Sequence, residues 1–596
     1  LAAVLVLSLA GWGCSRGGSA DDGSGHEQTV VPDQSDGSDQ TTDGSGNGTA
    51  DVPVEVDYDS DDLDAGTDNT GMTWIFLEGG SISVNGSGAT VSGSTVTITS
   101  AGLYSISGTL NDGQVVVNAG DSDVVKLVLS GADMTCLSSA AIYVESADKT
   151  VITLAEGTNN KVTDGTSYVF DDAASDEPSA AIFSKDDLTI NGSGSLLVDG
   201  NYQNGIASKD DLKITGGNIT VNAVNDGLRG RDCVAISDGC INVTAGADGI
   251  QSNNDEDAEK GFVCIEGGNL SITAGADGIQ AETSVLVSGG SITISCGGGS
   301  TKTVASTASA KGIKAELDTT VAGGTIDIDS ADDALHSNGS LSITGGSITI
   351  ASGDDAIHSD STIAIGGGTI RVTRCFEGIE SGVVTINEGT IHITASDDGI
   401  NVTAGYLYIN GGYLAMNAGG DGFDVNAATA SSDPMAGGSV VMTAGTVIIN
   451  GPTANNNGAL DFGTFKMTGG CLVAVGSSGM AQALSTTSTQ YSVTVNFTSA
   501  RSAGTMLHIQ TQGGEDVLTF LPAKAYQSVV LCTPALAKGT TYAVYTGGSC
   551  TGTAVDGLYS GGTYTPGTQY TTFTISSMVT AIGSSGGGGG GMPPGR

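Results

Sequence analysis

From about residue 200 to residue 425 apolar and polar positions alternate in short bursts with a period of two, as in "SLSITGG" at 340–346 and "SITIAS" at 347–352. Alternation of this kind predicts β-strands with one buried face. It places Leu341, Ile343, Ile348 and Ile350 inward and the intervening Ser and Thr outward, and further along it places Leu407, Ile409, Leu414 and Met416 inward. Each burst stops at Gly-Gly or at an Asp-Gly or Asp-Ala pair, which are turn formers. Nowhere in this region do apolar residues recur at the 3.6-residue spacing of a helix.

The turns repeat. Taking the residue before each corner Gly or Ala, the series runs Asn204, Asp226, Asp248, Asp277, Lys311, Asp333, Asp355, Glu377, Asp398 and Asp421. The steps are 22, 22, 29, 34, 22, 22, 22, 21 and 23 residues, and the two long ones carry the insertions "SNNDEDAEKG" and "GGGSTKTVASTASAK". A fixed period in this range, built from two or three short strands per unit, predicts a solenoid, here a parallel β-helix with coils of about 22 residues. Residues 71–487 are assigned to it, with irregular first coils before residue 200. After residue 488 strands lengthen and aromatics increase, as in "QYSVTVNFTSARSAGTMLHIQT", which predicts a small separate all-β module over 488–582.

The flanks read differently. "LAAVLVLSLAGWGCS" is an apolar run ending in small residues and Cys14, expected to be a secretory signal of the lipoprotein kind, its first residues missing, with Cys14 as the lipidated residue. Residues 15–70 are Gly, Ser, Asp and Thr with few aliphatics, and 583–596 are Gly-rich; both are expected to be disordered, since neither can bury enough apolar surface to offset its ordering entropy. The chain's 65 acidic and 20 basic residues leave a net charge of −45, which argues against nucleic acid as partner. That charge suits a secreted, monomeric surface protein that collects divalent cations, touching a membrane only through a lipid at Cys14. The nine other cysteines are scattered without Cys-x-x-Cys pairs, as buried free thiols are; Cys532 and Cys550 are the candidates for a disulfide.

Four groups of residues could carry chemistry. Stacking Asp333, Asp355, Glu377 and Asp398 at one corner puts like charges about 5 Å apart, a repulsion of roughly 3 kcal/mol per neighbour at an effective dielectric of 20. Bridging Ca²⁺ would relieve it, oxygen ligands in a turn being suited to that ion; the plain alternative is a row of solvated Asx turns. The insertion at Asn253, Asn254, Asp255, Glu256 and Asp257 adds a second cluster of oxygen ligands beside Asp226, Asp248 and Asp277. Tyr406, Tyr408 and Tyr413 fall at outward positions and could stack sugar rings, or could pack beneath the C-terminal module. Arg229, Arg231, Lys260, Arg371 and Arg374 are the candidate bases of a calcium-dependent lyase, in no recognisable catalytic motif, and His336 and His358 read as an outward polar ladder.

The stretches "EPSAAIFSKDDLTINGSGSL", "NGIASKDDLKITGGNITV", "DGIQSNNDEDAEKGFVCIEGGNLSITAGADGIQAE" and "GLYSGGTYTPG" resemble the bacterial cell-surface polysaccharide-binding proteins, carbohydrate-binding-domain lipoproteins of pectate-lyase-like fold. The resemblance spans about residues 72–580. It implies a right-handed β-helix, bound calcium, and binding of plant cell-wall or acidic polysaccharide without cleavage. The alternatives are a calcium-dependent polysaccharide lyase and a structural adhesin or spacer with no glycan site.

Overall fold

A computed structural model describes residues 55–66, 71–170, 172, 174–305, 307–427 and 437–583. Cys14, the rest of the expected signal, most of the acidic linker and the tail from 584 lie outside the described residues. Residues from Val56 onward form one compact unit.

That unit is almost entirely β. A single sheet of 46 strands winds through it, most strands pairing in parallel with a strand about one repeat later. Three rows of strands build each turn of the coil. In the turn that contains the central motif they are Leu335–Ser337, Ser340–Ile343 and Ser347–Ser352. The next turn merges the first two rows into one bent strand, Ile357–Ile365, followed by Thr369–Arg374. Register is kept from turn to turn: Leu335 lies on Ile357, Leu341 on Ile363, and Ile348 on Ile370. All six of these side chains are at most 1% exposed, as are Ile343, Ile350, Leu407, Ile409 and Met416, so the alternation reports burial as expected. This layered arrangement is compatible with the expected parallel β-helix. At the Gly-Gly corners the backbone enters the left-handed region, φ 89° at Gly346, where an added Cβ would sit 3.0 Å from the Gly323 carbonyl oxygen.

Two boundaries differ from the sequence reading. Residues 56–66, assigned to the disordered linker, form a short helix, Ser60–Leu63, packed against the coil. Asp59 caps it, and Asp62 is wholly buried: its carboxylate pairs with Lys149 Nζ at 2.9 Å and accepts from Thr189 Oγ1 at 2.6 Å. The aspartates that look solvating in sequence are ordered above all by Lys149, some 90 positions away.

The region after 488 is not a separate module. Tyr526–Cys532 pairs antiparallel with the coil strand Cys471–Gly476 and so covers a parallel edge that would otherwise stay open. A second sheet of six strands packs over it, and Val473, Val475, Ile448 and Ala415 of the coil share one apolar core with Leu507, Phe520, Tyr526 and Tyr542. None of the nine cysteines outside the signal region forms a disulfide; Cys532 is buried and Cys550 partly exposed, and the expected pair is not bonded.

Candidate functional site

The corner aspartates do stack, and most of them bond the main chain through one side-chain oxygen. Asn204 Oδ1 accepts the amide of Asp226, Asp226 Oδ1 that of Asp248, and Asp248 Oδ1 that of Asp277. Asp277 Oδ1 takes the amide of Lys311 at 2.7 Å, Asp333 Oδ1 that of Asp355 at 3.0 Å, and Asp398 Oδ1 that of Asp421 at 2.6 Å. These carboxylates do not face solvent as Asx turns would: Asp226, Asp277, Asp333, Asp355 and Asp398 are all buried, with Asp248 half-buried. A corner Asp is thus a staple between successive turns, because its side chain reaches one amide up the stack.

The charge is offset by different means along the row. Arg229 approaches Asp226 at 3.6 Å, and Lys311 Nζ lies 2.6 Å from Asp333 and 3.1 Å from Asp332. Burial disfavours the Asp333 charge, but His336 and Lys311 outweigh it and hold that carboxyl down at about 2. Among the described residues no base pairs with Asp248, earlier in the row, or with Glu377, Asp398 and Asp421 beyond Asp333. Burial pushes Asp248 up to about 6, and Glu377, Asp398 and Asp421 up to about 7, with neighbouring carboxylates adding to the effect.

The insertion is organised by hydrogen bonds and ion pairs of its own side chains. Asn254 is buried and acts as a local organiser: Nδ2 donates to Asp232 at 2.5 Å, and Oδ1 accepts the amides of Glu256 and Asp257. Asn253 Oδ1 faces Arg229, Glu256 pairs with Arg231 at 2.5 Å, and Lys260 with Asp232 at 2.6 Å. Asp255 and Asp257 point to solvent. Three of the five basic residues weighed as lyase bases, Arg229, Arg231 and Lys260, hold the loop to the coil. Among the described residues, the groups of His, Asp or Glu atoms close enough to share one ion are Asp333, His336 and His358; Asp355, His358 and Glu380; and Asp332, Asp333 and Asp354. Of the predicted ligands only Asp333 and Asp355 take part. His336 and His358, expected from the recurrence of "DDALHS" and "DDAIHS" to form an outward polar ladder, do stack, but His336 is buried, and with Glu380 they supply the remaining ligand atoms of the first two groups.

The tyrosines divide. Tyr406 and Tyr408 project from the strand Ile400–Ile409 with ring centroids 5.7 Å apart and planes within 3°, and Tyr406 is 47% exposed. Their lateral neighbours in register are Val383 and Ser439 for Tyr406, and Thr385 and Val441 for Tyr408. Tyr413 leaves this patch: its hydroxyl donates to Asp556 at 2.7 Å, and it packs against the core of the C-terminal sheet. His392 Nε2 meets the same carboxylate at 3.0 Å. Arg371, His392 and Asp556 line a cleft of about 420 Å³ between the coil and that sheet. Asp556 sits at φ 48°, the one non-glycine residue with positive φ among the described residues.

A family model described as "Carbohydrate-binding domain-containing protein" matches residues 92–356 and again 356–517. The chain belongs to that family. The match of this carbohydrate-binding-domain protein takes in the corner row, the histidine pair, and Tyr406 with Tyr408. A "Carbohydrate-binding domain-containing protein" of Acetivibrio thermocellus is 43% identical over 179 residues, 30% of this chain and 56% of the relative, so the match spans little more than half of that relative's length. A solved chain, the polysaccharide lyase-like protein from C. thermocellum as a gadolinium derivative, is 39% identical and is covered over 96% of its length by 46% of this one. Its TM-score is 0.37, too low to support a structural argument.

Proposed function

We propose that this chain binds polysaccharide without cleaving it, at the bacterial cell surface, through a right-handed parallel β-helix tethered by lipid at Cys14 and stiffened by calcium at its acidic corners. The observation that carries the reading is the Tyr406–Tyr408 pair. Two nearly parallel rings, one of them half-exposed, stand on a regular sheet face flanked by Thr385 and Ser439. A sugar ring presents an apolar C–H face that such rings can cover, while its hydroxyls reach the flanking side chains. Membership of the carbohydrate-binding family supports the same conclusion. Calcium rests on the oxygen-rich corners, above all Glu377, Asp398 and Asp421, which have no basic partner.

Affinity electrophoresis of the chain in gels containing neutral or acidic plant polysaccharides, with calcium and with EDTA, tests it. Retention is expected on at least one glycan, weakened by EDTA and lost in Tyr406→Ala/Tyr408→Ala. Retention unchanged in that double variant refutes the tyrosine face, and equal retention with EDTA refutes the calcium role. A lyase is the second reading, favoured by Arg371, which faces the cleft beside His392 without a carboxylate partner. Rising ultraviolet absorbance from unsaturated products would establish that reading instead.

A further inference from the structure

The corner pattern breaks at Lys311, at Asp355 and at Glu377, whose carboxylate accepts from Asn401 Nδ2, and the break at Asp355 brings two further side chains together. Asp333 caps the amide of Asp355, but Asp355 does not cap the amide of Glu377; its Oδ2 turns to His358 Nδ1 at 3.0 Å. Glu380, which follows His358 in register one turn on, brings Oε2 to 3.5 Å from the same nitrogen. One atom each of Asp355, His358 and Glu380 therefore lies within 4.8 Å of the others. Two carboxylates converge on a single imidazole nitrogen, with Asp355 only 5% exposed and no lysine or arginine paired to either acid. Lys311, two corners earlier, is occupied by Asp332 and Asp333.

The far side of the ring is also set. His358 Nε2 lies 3.1 Å from Asp360 Oδ1, an acceptor only, so Nε2 donates there; Nδ1 faces only carboxylate oxygens and carries the ring's other hydrogen, which a bound cation would displace. A carboxylate behind a ligating imidazole is the usual outer-shell support of a histidine–metal bond. His336 stacks on the ring at 4.9 Å and 16°, which fixes its plane. The equivalent rung one turn earlier shows the contrast: there Asp333 is neutralised by Lys311, and His336 Nε2 meets a neutral amide, Asn338.

We propose that Asp355, His358 and Glu380 bind a divalent transition-metal cation of the zinc class, with Asp360 as the outer-shell residue that orients the imidazole. One nitrogen and two carboxylate oxygens suit Zn²⁺ or Co²⁺ and leave a coordination position open, whereas calcium takes oxygen ligands in larger number. The site is separate from the tyrosine face and does not depend on the chain binding glycan.

The test uses the full chain, stripped with chelator and dialysed, titrated with Zn²⁺ by calorimetry and with Co²⁺ by visible absorption. One equivalent is expected, with the intensified visible bands of low-coordinate cobalt. His358→Gln and Glu380→Gln should each weaken Zn²⁺ binding about tenfold or more, and Asp360→Asn should weaken it while leaving the stoichiometry at one. His392→Gln, which removes a histidine elsewhere on the coil, should change nothing. Folding is checked by circular dichroism, and Glu380→Gln, at a half-exposed position, keeps the test open if His358→Gln misfolds. Wild-type affinity in folded His358→Gln or Glu380→Gln overturns the proposal, as does displacement of Zn²⁺ by equimolar Ca²⁺.

Discussion

Replacing Lys311 by Met examines the view that the corner row is stable only where its charge is offset. Lys311 is mostly buried, its side chain 14% exposed, and its ammonium bridges Asp332 and Asp333. Asp333, 4% exposed, has its carboxyl held at about 2, close to two units below the ordinary 3.8. At about 1.4 kcal/mol per unit that is roughly 2–3 kcal/mol of pH-dependent stability, shared between His336 and Lys311. Methionine keeps the apolar stem but leaves Asp333 to His336 alone and Asp332 without a base, so a loss of about 2–4 kcal/mol is expected at pH 7. The sign follows from the depressed folded value. The stabilisation is complete above the unfolded value of 3.8 and fades as pH falls toward 2, so the gap between wild type and Lys311→Met should close over that window. Urea unfolding followed by circular dichroism between pH 7 and pH 2.5 measures it. A gap that is absent at pH 7, or that is undiminished at pH 2.5, would refute the argument.

Further along the row the dependence should reverse. Glu377, Asp398 and Asp421 are pushed up to about 7 by burial, so their contribution is present in acid and lost as pH rises through 7; without calcium the melting temperature should climb from pH 8 to pH 5. Asp398→Asn retains the oxygen that accepts the Asp421 amide while removing the charge, and should raise the pH 8 melting temperature in EDTA. Asn254→Ala removes the acceptor of two loop amides and the donor to Asp232, costing about 1–3 kcal/mol locally; faster proteolytic cleavage at Lys260 would report it. Tyr413→Phe should loosen the contact with Asp556 by about 1 kcal/mol and leave polysaccharide retention intact, since the ring belongs to the C-terminal packing.

The repeating core was legible because each inward position depends on a neighbour of its own kind. Ile348 rests on Ile370 and Leu341 on Ile363, so one period along the chain is also one step through space, and alternation plus a 22-residue step suffices to place both. The corner carboxylates were legible for the same reason, though their role was not. That Asp333 bonds the Asp355 amide requires the side chain's reach across the stack, and that Asp355 abandons the pattern requires Glu380 opposite it.

What the sequence determined by itself is the strand period, the inward set and the order of the coils, since these follow from local alternation and turn chemistry. Tertiary structure alone decided which polar residues met. Lys149 and Lys213 draw Asp62 out of an apparently featureless linker, Arg231 and Lys260 tie the insertion to the coil, and Asp556 takes Tyr413 away from Tyr406 and Tyr408. Charge pairs and buried hydrogen bonds depend on angstrom-scale distances between residues far apart in the chain, and no periodic pattern encodes those distances.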